Sequence, residues 1–223
     1  MIAVVPINGS APFKIGEGFT WATAPTSDQI VILSSYDLPS GSGRGVTNTF
    51  HIVSVNVQTG QFSRSSYALE HYFIDSRPGL AFLGRFIVFV RSSDTRDING
   101  AGGGLAVFDT QAGEASMVLP DQFFHRIQST PDGSQLVLET QDNLLAEGQY
   151  QGGVMNLRPL VSTPVTDWKL GRNGELLVQF SEGGAYQVRD RQGRAIEALS
   201  SAGQHQLRAM QALGATKIIA ADW

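Results

Sequence analysis

The stretch Gln128-Ser129-Thr130-Pro131-Asp132-Gly133-Ser134-Gln135-Leu136-Val137-Leu138 decides the fold. Pro presets φ near the value a turn wants, Asp bonds its own backbone, and Gly accepts positive φ, so residues 131–133 read as a tight turn. A short run of apolar, strand-forming residues follows at once. The same order, turn signal then buried strand, recurs along the chain. Pro25-Thr26-Ser27-Asp28 precedes Ile30-Val31-Ile32-Leu33, and Gly84-Arg85 precedes Ile87-Val88-Phe89-Val90. Gly171-Arg172-Asn173-Gly174 precedes Leu176-Leu177-Val178, and Gly214-Ala215 precedes Ile218-Ile219-Ala220-Ala221. Near-continuous apolarity in these cores predicts strands covered on both faces.

A second hairpin follows downstream, at Val55–Gly60, Val107–Gly113 and Val188–Gly193. In the third unit the corresponding stretch is read as Val154–Pro159, with Pro where the others have Gly. Four strands per unit, A to D, at a spacing near that of propeller blades predict an all-β, single-domain β-propeller. The fifth unit supplies only strands A and B, around Leu207–Met210 and Lys217–Asp222. Its missing pair is read at the other end, where Ile2–Asn8-Gly9 and Pro12–Ile15 form a hairpin. The expected ring therefore has five blades: 17–65, 71–119, 123–162, 164–200, and 204–223 joined with 1–15. Pairing of the two ends leaves no open ring edge.

The Thr-Pro-Asp-Gly-Ser turn with its following strand resembles the propeller repeats of TolB-like and lactonase-like families. Phe89 to Glu114 looks like the same repeat with an enlarged loop. The resemblance implies a fold and carries no catalytic motif.

Composition narrows the function. The chain has 223 residues, a net charge of −4 and no cysteine. The charge gives no basic field for nucleic acid or acidic membrane surfaces. Absent cysteine removes thiolate nucleophiles and cysteine metal sites. The apolar run before Pro6 lacks a basic flank, so the sequence reads as a soluble protein, cytoplasmic if the chain is complete. The glycine run at 100–104 is followed by no Lys-Ser or Lys-Thr, and no Gly-x-Ser-x-Gly elbow joins a strand to a helix.

Binding on a rigid ring is expected where loops are long. The B–C connections 36–48, 92–104 and 140–153 read as long, against 181–184 in the fourth unit. They define an expected rim with Tyr36, Asp37, Arg44, Asp94, Arg96, Asp97, Asp142 and Tyr150 as its binding residues. Acidic residues recur near the ends of the B strands, at Asp37, Asp94, Asp142, Glu182 and Asp222. A third set, Glu17, His71, His125, Asp167 and His205, falls where the A strands begin, at the mouth of a central channel. Imidazoles and carboxylates converging there would suit a divalent metal, although the plainer expectation is no cofactor. His51 is read as a packed or edge residue of a C strand.

The first reading is a non-catalytic binding module whose rim holds a protein or glycan. The second is a glycosidase- or lactonase-like hydrolase with Asp37, Asp94 and Asp142 around a metal. The third is a structural or assembly subunit.

Overall fold

The computed structural model describes residues 2–4, 11–18, 20–37, 46–56, 59, 61–69, 74–91, 104–120, 122–171, 174–181 and 186–198. Among them every regular element is a β-strand, and no helix is long and apolar enough to cross a membrane. A short hairpin, β1 (Ile2–Val4) and β2 (Phe13–Gly16), comes first.

Four four-stranded antiparallel sheets follow, each a meander in chain order. The first holds β3 (Thr20–Thr23), β4 (Gln29–Asp37), β5 (Val46–Val55) and β6 (Phe62–Leu69). The second holds β7 (Ile74–Leu83), β8 (Phe86–Arg91), β9 (Gly104–Asp109) and β10 (Glu114–Pro120). The third holds β11 (Phe124–Ser129), β12 (Leu136–Thr140), β13 (Leu145–Gln151) and β14 (Val154–Val161). The fourth holds β15 (Val165–Leu170), β16 (Leu176–Phe180), β17 (Tyr186–Arg189) and β18 (Ala195–Ala198). Of the expected fifth unit, residues 204–223 lie outside the described residues, whereas β1 and β2 pair as the hairpin read near the start of the chain.

The second strands β8 and β12 are apolar runs because each is sandwiched between two sheets. Ile87 and Phe89 of β8 pack toward the first sheet, against Val31, Leu33, Phe50 and Ile52. Val88 and Val90 point the other way, toward Phe124, Ile127, Leu136 and Leu138 of the third sheet. Val137 in turn joins Trp168, Leu176 and Val178 of the fourth. Burying each such side chain contributes about 1.5–3 kcal/mol. Edge-to-face ring pairs lock the first two sheets, with Phe50 5.4 Å from Phe89 and 5.6 Å from Phe108.

The turn that decided the fold forms as its chemistry dictates. Gly133 takes φ +68, Thr130 N donates to Gln135 O, and Asp132 Oδ1 accepts from Thr130 Oγ1 at 2.6 Å and Ser134 N at 3.1 Å. These donors, the Thr130 hydroxyl first, hold the Asp132 carboxyl well below the usual range. The A–B turns also meet one another. Gly84 N donates to Gly133 O at 3.1 Å, and a Cβ on Gly133 would sit 3.6 Å from Thr26 Cγ2. Three sheets therefore present these turns at one common end.

The third sheet departs from expectation. Residues 154–159 belong to the last strand, β14, and contain no turn. The turn is Gly152-Gly153, both at positive φ, closing Gln151 onto Val154. Pro159 sits in β14, an edge strand, where a missing N–H is tolerated. The stretch 140–153 is likewise no long loop. Residues 141–144 make a tight turn, closed by Thr140 N donating to Leu144 O, and β13 fills the rest.

Candidate functional site

The end opposite the A–B turns is where the B–C and D–A connections leave. Val165 N, opening β15, donates to Asn143 O in the B–C turn of the third sheet. Ser181 N and Oγ, just past β16, both donate to Pro164 O at 3.1 Å. At this end β4 finishes at Asp37, paired with Val46, and β8 finishes at Arg91, paired with Gly104. Because the first two sheets pack face to face, the connections 38–45 and 92–103 leave from neighbouring strands.

The expected rim residues divide accordingly. Arg44, Asp94, Arg96 and Asp97 lie outside the described residues. Tyr36 and Asp37 have their backbone in β4, opposite Thr47 and Val46. Asp142 is exposed, in the tight turn after β12 rather than in an extended loop. Tyr150 is not at this end. It lies near the far end of β13, with its ring 4.9 Å from that of Phe86, which follows the Gly84-Arg85 turn. The third sheet thus contributes no extended loop at this end, and residues 38–45 and 92–103 lie outside the described residues.

The channel set separates too. His71 and His205 lie outside the described residues. Glu17 is exposed and paired with Lys14, whose hydrogen bond and charge lower its pKa. His125 is exposed and its Nε2 donates to Gln141 O at 3.1 Å. Asp167 accepts from Trp168 N at 2.8 Å and Arg126 Nη1 at 3.4 Å, with Lys169 Nζ at 3.9 Å. Two cations beside that carboxylate offset the charge a metal would use. Among the described residues no three His, Asp or Glu side chains are placed to hold a metal ion.

The expected alignment was one residue out. Phe124-His125-Arg126-Ile127 and Val165-Thr166-Asp167-Trp168 share one burial pattern and one bulge position, so Arg126 corresponds to Asp167 and His125 to Thr166. With a two-residue side-chain period, that offset exchanges faces.

Two clusters had no signal in the linear sequence. In one, Arg126 stacks 4.3 Å over the Trp168 ring while Trp168 Nε1 donates to Glu139 at 2.7 Å, joining the third and fourth sheets. In the other, His51 lies between Ser34 and Ser66, each hydroxyl 2.8 Å from a ring nitrogen. Every contacting pair in them stands 15 or more residues apart, and only strand register and sheet packing bring them together.

No family model and no curated protein matches the chain. Its neighbours among solved structures are β-propellers. The propeller domain of the Trilobed protease from Pyrococcus furiosus is 10% identical, with a TM-score of 0.47 over 84% of this chain and 58% of that one. A gluconolactonase from Xanthomonas campestris is 12% identical, with a TM-score of 0.45 over 70% and 59%. The Dos1 propeller is 14% identical, with a TM-score of 0.42 over 78% and 44%. The chain thus spans between 44% and 59% of the length of these three. At this identity the likeness concerns architecture alone.

Proposed function

We propose that the chain is a five-bladed propeller acting as a binding module, with the rim of its first two sheets holding a protein or glycan partner. One observation carries this reading: two long connections, 38–45 and 92–103, are anchored side by side on sheets locked by the Phe50–Phe89–Phe108 cluster. A rigid base lowers the ordering cost of a loop-built site. Four of the described carboxylates are held in structural contacts. Asp109, Asp132 and Asp190 accept from the backbone of their own turns, and Glu147 is paired with Arg158.

The ring itself closes, in this reading, by residues 204–223 entering as the A and B strands beside β1 and β2. Two surfaces support it. The hairpin covers only part of the outer face of the first sheet, where Ile15 meets Ile32, Val53 and Val55. It leaves Trp21, opposite Ile32 on that face, 55% exposed. The far face of the fourth sheet carries a mainly apolar hollow around Leu177 and Val188. A five-bladed ring would fill the space between them with the closing strands.

The test replaces 38–45 or 92–103, separately and together, with an Asn-Gly turn, and compares binding on a glycan array and in quantitative affinity capture. Glycans or proteins retained by the parent chain and lost by the double replacement are the expected result. An identical binding profile with and without both connections would contradict the rim.

A further inference from the structure

The outer face of the first sheet carries a second polar centre, independent of the rim. β5 sets His51 directly opposite Ser66 of β6 and diagonally across from Ser34 of β4. Ser34 Oγ lies 2.8 Å from His51 Nε2, and Ser66 Oγ lies 2.8 Å from Nδ1. Ser34 and His51 are half-buried, whereas Ser66 is exposed on β6, the edge strand of its sheet. Strand alternation puts Arg64, also exposed, on the same face as Ser66. Burial, and then the Arg64 charge, lower the His51 pKa, which favours the neutral ring with a free lone pair.

We propose that Ser66 is a nucleophile activated by His51 and positioned for acyl transfer from a carboxylic ester to water. In the required tautomer Nε2–H donates to Ser34 Oγ, fixing the ring, and Nδ1 accepts from Ser66 Oγ–H. Ser66 Oγ attacks the ester carbonyl carbon as Nδ1 takes its proton. The ester C–O bond then breaks, and His51 returns that proton to the leaving alkoxide. A water, deprotonated by the same nitrogen, attacks the acyl carbon; the acyl C–Oγ bond breaks, the acid leaves, and Nδ1 returns the proton to Ser66 Oγ. A nucleophile, a base within hydrogen-bond reach and a third group orienting the base form the arrangement such chemistry needs. Ser34 is a positioning residue in this scheme.

A cross-strand hydrogen-bond ladder would use the same contacts without making Ser66 more reactive than Ser63, an exposed serine on the same strand. Reactivity separates the two. The intact chain is treated with a fluorophosphonate probe, and labelled peptides are quantified against time. Labelling of Ser66 is expected at least about tenfold faster than of Ser63, falling about a hundredfold in His51→Gln, within the range of a general base. Ser34→Ala is expected to slow it severalfold and Ser34→Thr to restore it, a pattern that holds the test if His51→Gln does not fold. Equal rates at Ser66 and Ser63, labelling at Ser34 instead, or indifference to both His51→Gln and Ser34→Ala would overturn the proposal.

Discussion

Two tryptophans on corresponding strands meet opposite fates. Trp168 of β15 has no exposed surface: the third sheet lies against it, Arg126 stacks on its ring and Glu139 accepts its indole proton. Trp21 of β3 is 55% exposed, although Ala22 beside it packs into the first interface. The difference lies in what stands next to each strand, not in the residue. Between sheets, an aromatic ring is covered by protein; on the outer face of the first sheet it meets no such cover among the described residues.

Removing a cover is the largest perturbation. Deleting residues 1–15 uncovers Ile32, Val53 and Val55 and removes Ile15, costing on the order of 5 kcal/mol or more at about 1.5–3 kcal/mol per buried apolar side chain. Chemical denaturation of the deleted chain measures this; an unchanged midpoint would show that the hairpin does not pack there.

Trp168→Ala comes next, at about 3–5 kcal/mol, because it leaves a cavity and strands the Glu139 carboxylate. Trp21→Ala sharpens the contrast. With residues 204–223 present, the closing strands should cover Trp21 and the substitution should cost about 1–2 kcal/mol, part of the value of burying a large side chain. In a chain ending at 203 the cost should vanish. Equal costs in both backgrounds would mean that the last residues do not cover it.

The smallest effect concerns the Asp132 turn. Its carboxyl pKa is depressed on folding, so its contribution is fully present above the unfolded value of about 4 and is lost as pH falls below that. Asp132→Asn should therefore flatten the acid limb of a stability–pH curve below about pH 4. A limb of unchanged slope would show that the turn's hydrogen bonds do not favour the carboxylate.

What the sequence made legible follows from locality. Ile87–Val90 and Leu176–Val178 announce buried strands because they are short apolar runs each preceded by a Gly-containing turn, and Pro131-Asp132-Gly133 announces its turn in three residues. β13 was hidden, since Ala146-Glu147-Gly148-Gln149-Tyr150-Gln151 has no β-branched residue and little apolar alternation. It is a strand because tertiary context makes it one. Gly148 fits where a Cβ would meet Leu138 Cδ1 at 2.7 Å, and Glu147 is neutralised by Arg158. The channel set was displaced because one residue of misalignment turns His125 away from the position that Asp167 holds in the next sheet. The Ser34–His51–Ser66 cluster was invisible for a different reason: register between three strands creates it, and register is not written locally.

Closure of the ring is tested most directly by proximity between its two ends. With no native cysteine, single cysteines at Ala3 and Ile219 carry spin labels without background. Paired strands lie about 5 Å apart, so the doubly labelled chain should show strong dipolar broadening. A spectrum equal to the sum of the two singly labelled chains would contradict a closed ring.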